Sequence, residues 1–279
     1  MMTPIKTDPF IFQWSVDAAG HEWKPGLNSQ VCLFERGGFE RKVRVYYPLK
    51  KAGLFAEFAE LKPKRDAILQ FANRYGDLGA DTDGDLLVEG GRFKVGSKLT
   101  TWKNEIGDMN ALVSLWKAKQ QRSSNKLESV MKWVKGVISY RISTPRGTIE
   151  QVLAHPDTDR VLLERFRPGD LLQPARYALQ REINKRLDRT RTVPQLIWCP
   201  GDMLEEGTFE PDGIQRVVFQ PSSLLAAMWL QFAQAVTGEF QLRRCEVCGK
   251  YFQLGPGGRR ADAITCGDAC RQRKRRVTA

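Results

Sequence analysis

The chain has 279 residues, 42% hydrophobic and 27% charged, which suffices for one large domain or a medium domain with a small appendage and excludes intrinsic disorder as its description. No apolar run approaches the roughly 20 residues that cross a bilayer, and the opening MMTPIKTDPF lacks the basic, apolar, small-residue layout of a secretory signal. The expectation is a cytoplasmic protein with no membrane partner, and its formal net charge of +12 suits a polyanionic one.

The first fifty residues are rich in β-branched and aromatic side chains with Gly breaks, and KVRVYYPL alternates apolar with polar positions, so a small sheet is predicted. From Leu54 the pattern turns helical. LFAEFAEL forms one helix, and Pro63 opens a second in which Ile68, Leu69, Phe71, Ala72 and Tyr75 share a face until Gly76 stops it. Residues 77–97 read as a polar, Gly-rich insertion in which LLVEGGRFKVG folds into a hairpin. Then Trp102, Ile106, Met109, Val113 and Trp116 recur at steps of four and three, the stripe of a core helix, with Ser97 or Thr100 as its cap. Leu127, Val130, Met131 and Val134 predict a shorter helix, followed by VISYRI, a turn at TPRG, and TIEQVL as a hairpin. LLQPARYALQREINKRL is a helix with Pro174 in its first turn, TVPQLIWC a buried strand, and SSLLAAMWLQFAQAVTG a strongly apolar helix closed by Gly238. The fold class expected is α+β: a mostly helical body with small β hairpins over residues 1–240, and a C-terminal zinc finger over 241–279.

The positive charge is clustered. Residues 109–148 carry 8 cations against 1 anion, and residues 241–279 carry 10 against 3, whereas the stretches between are nearly neutral or acidic. In the middle block Lys117, Lys119, Arg122, Lys126, Lys132 and Lys135 form a candidate secondary basic face, with two solvated faces that have no partner as the alternative.

Two of the six cysteines, Cys32 and Cys199, sit alone in apolar stretches and are expected to be core thiols. The other four are spaced Cys245-x2-Cys248, then 17 residues, then Cys266-x3-Cys270, which in a cytoplasmic chain means metal before disulfide. Four thiolates surround one zinc ion tetrahedrally, Gly249 serves the turn after the first pair, and Cys266 and Cys270 fit one face of a helix's first turn, the order of a treble-clef-like finger. A module this small has no self-sufficient core, so one structural zinc per chain would supply most of its folding free energy, about 10 kcal/mol. Its closed shell of ligands argues against catalysis at the metal.

The helix after Cys266 carries Arg271, Arg273, Lys274, Arg275 and Arg276, while Arg243, Arg244, Arg259 and Arg260 flank the same site. Such a surface suits phosphate and base contact, and nucleic acid is the expected partner, DNA ahead of RNA; a solvated C-terminal tail is the alternative. Self-association is left open.

The run Cys245-x2-Cys248-Gly249-Lys250-x-Phe252 through Cys266-x3-Cys270-Arg271-Gln272-Arg273 resembles the zinc fingers of bacterial CGNR-type proteins, in which the finger follows a mostly helical domain. The segments LFAEFAEL, AILQFANRYG and SSLLAAMWLQFAQAV are similar in style to that family's ABATE-like N-terminal domain. The resemblance implies transcription regulation through DNA, with a body that senses a signal or mediates association. The chain departs from the family in its shorter first spacer and in having Cys270-Arg271-Gln272-Arg273 in place of the Cys-Gly-Asn-Arg signature.

Other chemistry is excluded on inventory. A treble-clef nuclease needs histidine, and the only two, His21 and His155, lie far from the finger in sequence. The calcium-like run Asp81-Thr82-Asp83-Gly84-Asp85 has Leu86 and Arg92 where an EF-hand needs Gly and Glu. In Gly91-RFKV-Gly96-Ser97-Lys98 the hydroxyl precedes the Lys, the reverse of a phosphate loop. With no nucleophile and base paired, a non-enzyme is expected. The rival reading makes the finger a structural or protein-docking module and gives function to the body.

Overall fold

The computed structural model describes residues 12–37, 42–79, 84–89, 91–145, 147–199, 214–238, 241–255 and 258–278. It is an α+β fold in which helices form the interior and short antiparallel sheets are laid around them. Helix α7 (Leu224–Thr237) is the spine, with ten of its fourteen residues buried. The side chain of Ser223 caps it by accepting from the Ala226 amide at 3.1 Å, and Gly238 ends it, as the sequence predicts. Against it pack α1 (Leu54–Ala59) and α6 (Leu172–Arg189), while α3 (Leu99–Gln120) packs on α1 and α6. Phe232 of α7 meets Phe55 of α1 at 5.1 Å and Trp116 of α3 at 5.8 Å between ring centroids. The buried amide of Gln231 donates to the Lys51 carbonyl at 2.7 Å and accepts from the Phe55 amide at 3.3 Å, which fixes the start of α1 on the spine.

All five predicted stripe residues of α3 are buried. Its cap differs from expectation: Lys98 holds the N-cap position without a side-chain bond, and Ser97 instead accepts from the Trp102 indole at 2.7 Å and donates to Asp77. Helix α6 is fastened to α3 by two ion pairs, a largely buried one from Arg186 to Asp108 at 2.8 Å and one at the surface from Arg189 to the buried Glu105 at 2.6 Å. Helix α2 (Arg65–Tyr75) ends at Gly76 as predicted, and α4 (Ser124–Val130) and α5 (Arg160–Leu163) are short connectors.

The N-terminal strands divide between two sheets. Strand β1 (Trp14–Asp17) pairs with β4 (Val43–Tyr46), and β2 (His21–Pro25) and β3 (Val31–Glu35) continue into β6 (Arg92–Lys98) and then β5 (Gly84–Glu89). The predicted hairpin within residues 77–97 is therefore no peripheral insertion: it completes a four-stranded sheet, because Cys32 and Leu33 of β3 pair with Lys98 and Ser97 of β6. The phosphate-loop-like run lies in β6 and runs straight into α3, so no cradle forms. Of the calcium-like run, residues 81–83 lie outside the described residues, and Asp85 accepts hydrogen bonds from the Asn28 backbone and side chain at 3.2 and 3.0 Å.

Two expectations are corrected. Met131 and Val134 belong to a strand, β7 (Met131–Val134), which with β8 (Val137–Thr144) and β9 (Gly147–Ala154) makes a three-stranded meander in place of a longer helix. The spacing of these apolar residues fits both periods over so short a run. Strand β10 (Val193–Cys199) is a two-stranded ribbon with β11 (Ile214–Gln220), and Val193 is exposed by 46%, facing a partner strand in which Val217 and Phe219 are exposed by 65% and 57%. The described side chains of this strand, at residues 193–195, are exposed where the sequence predicts burial. Cys32 is buried as expected; the side chain of Cys199 lies outside the described residues.

Candidate metal centre

The C-terminal module begins with an antiparallel hairpin of β12 (Gln241–Arg244) and β13 (Tyr251–Leu254), in register from Gln241 opposite Leu254 to Arg244 opposite Tyr251. Its turn is a knuckle. The Cys245 amide donates to the Lys250 carbonyl and the Gly249 amide to the Cys245 carbonyl, both at 2.9 Å, and Gly249 takes φ +70°, which glycine adopts without strain. These bonds turn Cys245 and Cys248 toward one point. The chain returns beside the hairpin by a bridge between Leu254 and Arg259, and the Glu246 amide donates to the Ile264 carbonyl at 3.1 Å, carrying the loop past the knuckle. Cys266 follows, and helix α8 (Asp268–Thr278) opens two residues later with Cys270 in its first turn.

The four sulfur atoms lie within 4.8 Å of one another. Cys248 and Cys266 are 3.5 Å apart and Cys266 and Cys270 3.6 Å, close to the roughly 3.8 Å that tetrahedral ligands at about 2.3 Å from a metal require and well beyond the roughly 2.05 Å of a disulfide. The set can hold one metal ion, and four soft thiolates in a closed shell fit zinc. Around the ligands Phe252 and Leu254 make a small apolar cluster with Cys245, against which Val247 and Ala263 pack.

The thiols are held unequally. Burial opposes charge on Cys245, but the amides of Cys248, Cys266 and Val247 directed at its sulfur outweigh burial and bring its pKa down to about 6. Cys266 is pushed up to about 12 by partial burial and by its hydrogen bonds with neighbouring sulfurs. The Cys245 thiolate is therefore ready near neutral pH, and a bound cation would supply the charge that deprotonates Cys266.

The nine cations assigned to nucleic acid from sequence lie around this centre, but three are used internally. Arg243 donates to the Ala263 carbonyl at 2.8 Å, Arg244 to the Gly249 carbonyl at 2.9 Å and Arg259 to the Cys266 carbonyl at 3.2 Å. These carbonyls belong to the loops that present the cysteines, so the three guanidinium groups brace the ligand loops. Arg260 pairs with Asp262 at 3.2 Å, Arg271 with Asp268, and Lys274 with Glu246, while Arg273 and Arg276 project from α8 into solvent. Arg259, Arg260, Arg271, Lys274 and Arg275 line one open cleft of about 460 Å³ between the loop and α8.

The middle basic block does not lie on one element. Lys117 and Lys119 end α3, Arg122 and Lys126 sit at and after its exit turn, Lys132 is on β7 and Lys135 in the turn to β8. Lys117 is half-buried and pairs with Glu60 at 3.1 Å. Glu60, at the end of α1, is the residue sequence reasoning missed: it also accepts from the Tyr251 hydroxyl, and Arg244 approaches it at 3.6 Å. Leu242 and Tyr251 pack on the body core beside it. Gly53, at φ +72°, lies so close that a Cβ there would stand 2.4 Å from the Tyr251 Cβ. No pattern in the sequence singles out a surface Glu on a six-residue helix; only the approach of the hairpin gives it a role. The expected boundary near Phe240 falls among residues outside the described ones, and the module, though it has its own small cluster, is seated on α1.

No histidine belongs to the cluster: His21 lies buried in β2, with its amide donating to Asn73, and His155 is in a surface turn beside Asp157. No protein family matches the chain, and no curated protein or solved structure matches it. Among the described residues no helix is long and apolar enough to cross a membrane.

Proposed function

We propose that the module is a treble-clef finger holding one structural zinc, and that the chain binds nucleic acid through it, as a bacterial DNA-binding regulator of the kind its resemblance to CGNR-type fingers implies. The observation that carries this reading is the concentration of cationic side chains on the loop and helix braced by the metal ligands. The module holds 10 cations and 3 anions, or +7; zinc with four thiolates adds −2, which leaves +5. Helix α8 projects Arg273 and Arg276 from a first turn anchored by Cys270, which suits phosphate contact.

The test is anisotropy of a labelled duplex with the zinc-loaded full chain over a salt series. Binding weakens steeply with salt, and replacing Arg273 and Arg276 by Ala flattens the slope by about 0.9 for each phosphate that is no longer neutralised. Lys126→Glu with Lys132→Glu reports whether the middle block extends the same surface, by lowering affinity at unchanged melting temperature. A salt-independent affinity, or none at low salt, would overturn the reading. The seat of Tyr251 on Glu60 favours the second reading, a finger that serves as a structural or docking module for the body, and those two results would support it.

A further inference from the structure

The cleft beside the metal centre has a composition that general phosphate attraction does not explain. Its volume of about 460 Å³ falls within the roughly 300–1,000 Å³ of small-ligand sites, and it is concave where a helix that reads a duplex groove presents a ridge. Cations line it from both sides, Arg259 and Arg260 from the loop and Arg271, Lys274 and Arg275 from α8. Ala263 and Ile264 give the same cleft apolar lining, with Ile264 exposed by 39%. Asp262 adds an acceptor, which opposes a bare phosphate but suits the amino group of a base.

We propose that this cleft binds one nucleoside phosphate unit, the phosphate between Arg259, whose Nε alone is engaged by the Cys266 carbonyl, and Arg271, whose solvent-exposed pair with Asp268 it would replace, and the base laid on Ile264 beneath the plane of Arg260. Guanidinium planes stack on bases, and an apolar floor rewards an exposed base face that a base-paired duplex does not offer. The proposal rests on the nucleic-acid reading and deepens it: the preferred ligand is an unpaired nucleotide, at a strand end or in a single strand. Arg260 is free to close over a base, since its side chain is 87% exposed and its direct pair with Asp262, at 3.2 Å, is open to solvent. The free mononucleotide and the nucleotide within a strand share this chemistry.

The experiment compares, on the zinc-loaded full chain, a labelled 10-nucleotide single strand, the blunt duplex of the same sequence, and competition by a nucleoside monophosphate against inorganic phosphate. The single strand is expected to bind at least tenfold tighter than the duplex, and the monophosphate to displace it at concentrations where phosphate does not. Ile264→Glu should abolish the preference, Arg260→Gln should reduce it several-fold without touching a buried group, and Arg273→Gln, outside the cleft, should weaken both ligands alike. Metal content and melting temperature are measured for each variant. Equal binding of strand and duplex, or an Ile264→Glu variant that keeps the preference, overturns the cleft and leaves the broader reading standing. A monophosphate that binds while neither oligonucleotide does supports the cleft and overturns the nucleic-acid reading. Absence of binding by all probes at low salt overturns both.

Discussion

Removing the Glu60 carboxylate tests whether the metal module and the body are one energetic unit. Glu60 is two-thirds covered, accepts from the Tyr251 hydroxyl, and stands 3.1 Å from Lys117 and 3.6 Å from Arg244. Burial works against its charge, but the hydroxyl of Tyr251 and the ammonium of Lys117 outweigh burial and hold its pKa below the ordinary carboxylate range. A hydrogen bond to a charged group contributes about 1.5–3 kcal/mol, and the flanking cations add less because they are partly solvated. Glu60→Gln should therefore cost about 2 kcal/mol, a fall of roughly 4–8 °C in melting temperature for a domain of this size, and Tyr251→Phe about 1.5 kcal/mol. Because both variants break the same bond, the double variant should cost about 1 kcal/mol less than their sum.

The seam also has a pH signature with a definite sign. Glu60 is depressed in the folded state, so its contribution is present above the unfolded value near 4.5 and is lost as pH falls through the folded one. Tyr251 is raised, by burial and then by its bond to Glu60, so its contribution is present below the unfolded value near 10 and is lost as pH rises toward the folded one. In Glu60→Gln the acid-side loss should shrink. Denaturant titrations of the four proteins of the cycle at pH 7 measure the coupling. Additivity within about 0.3 kcal/mol, with no change at acid pH, would show that the hairpin rests on α1 without being held by it.

Metal analysis should give one zinc per chain, and Cys266→Ser should abolish it while most of the helical circular-dichroism signal stays, since the helices belong to the body core; retention of full metal content would remove the four-thiolate site. Metal affinity should fall as pH drops below neutral, because the Cys245 thiol, at about 6, must lose its proton; a pH-independent affinity would exclude thiolate ligation. Arg186→Met should destabilise the body by about 3–5 kcal/mol, since it leaves the buried Asp108 carboxylate without its ion pair, and Asp108→Asn in the same chain should recover part of that stability; a change under about 1 kcal/mol would show that the pair is solvated.

What can be read from the residues depends on the length of the signal. The α3 stripe spans four turns, and the cysteine pairs carry their geometry in their spacing, so both are legible. Met131 and Val134 are not, because four apolar positions over eight residues cannot separate a period of 3.6 from one of 2 when a helix and a strand meet at Val130. The apolar letters of β10 indicate a strand but not what covers it. Arg243 and Arg244 read as surface charge because a guanidinium group that braces a carbonyl has the same letter as one that awaits a phosphate. Glu60 has no signal at all, since its role exists only where α1 and β13 meet.

The position of α7 in the chain bears on how the protein is made. Phe55 and Trp116 close on Phe232, and the start of α1 is tied to Gln231, so the central packing waits for a helix that begins at Leu224. At about 5–20 residues per second, the 165 residues from Ala59 to Leu224 take roughly 8–33 s to synthesise, during which the apolar face of α1 has no spine to close on. Truncation anywhere before α7 should therefore yield aggregating product in place of a smaller folded domain.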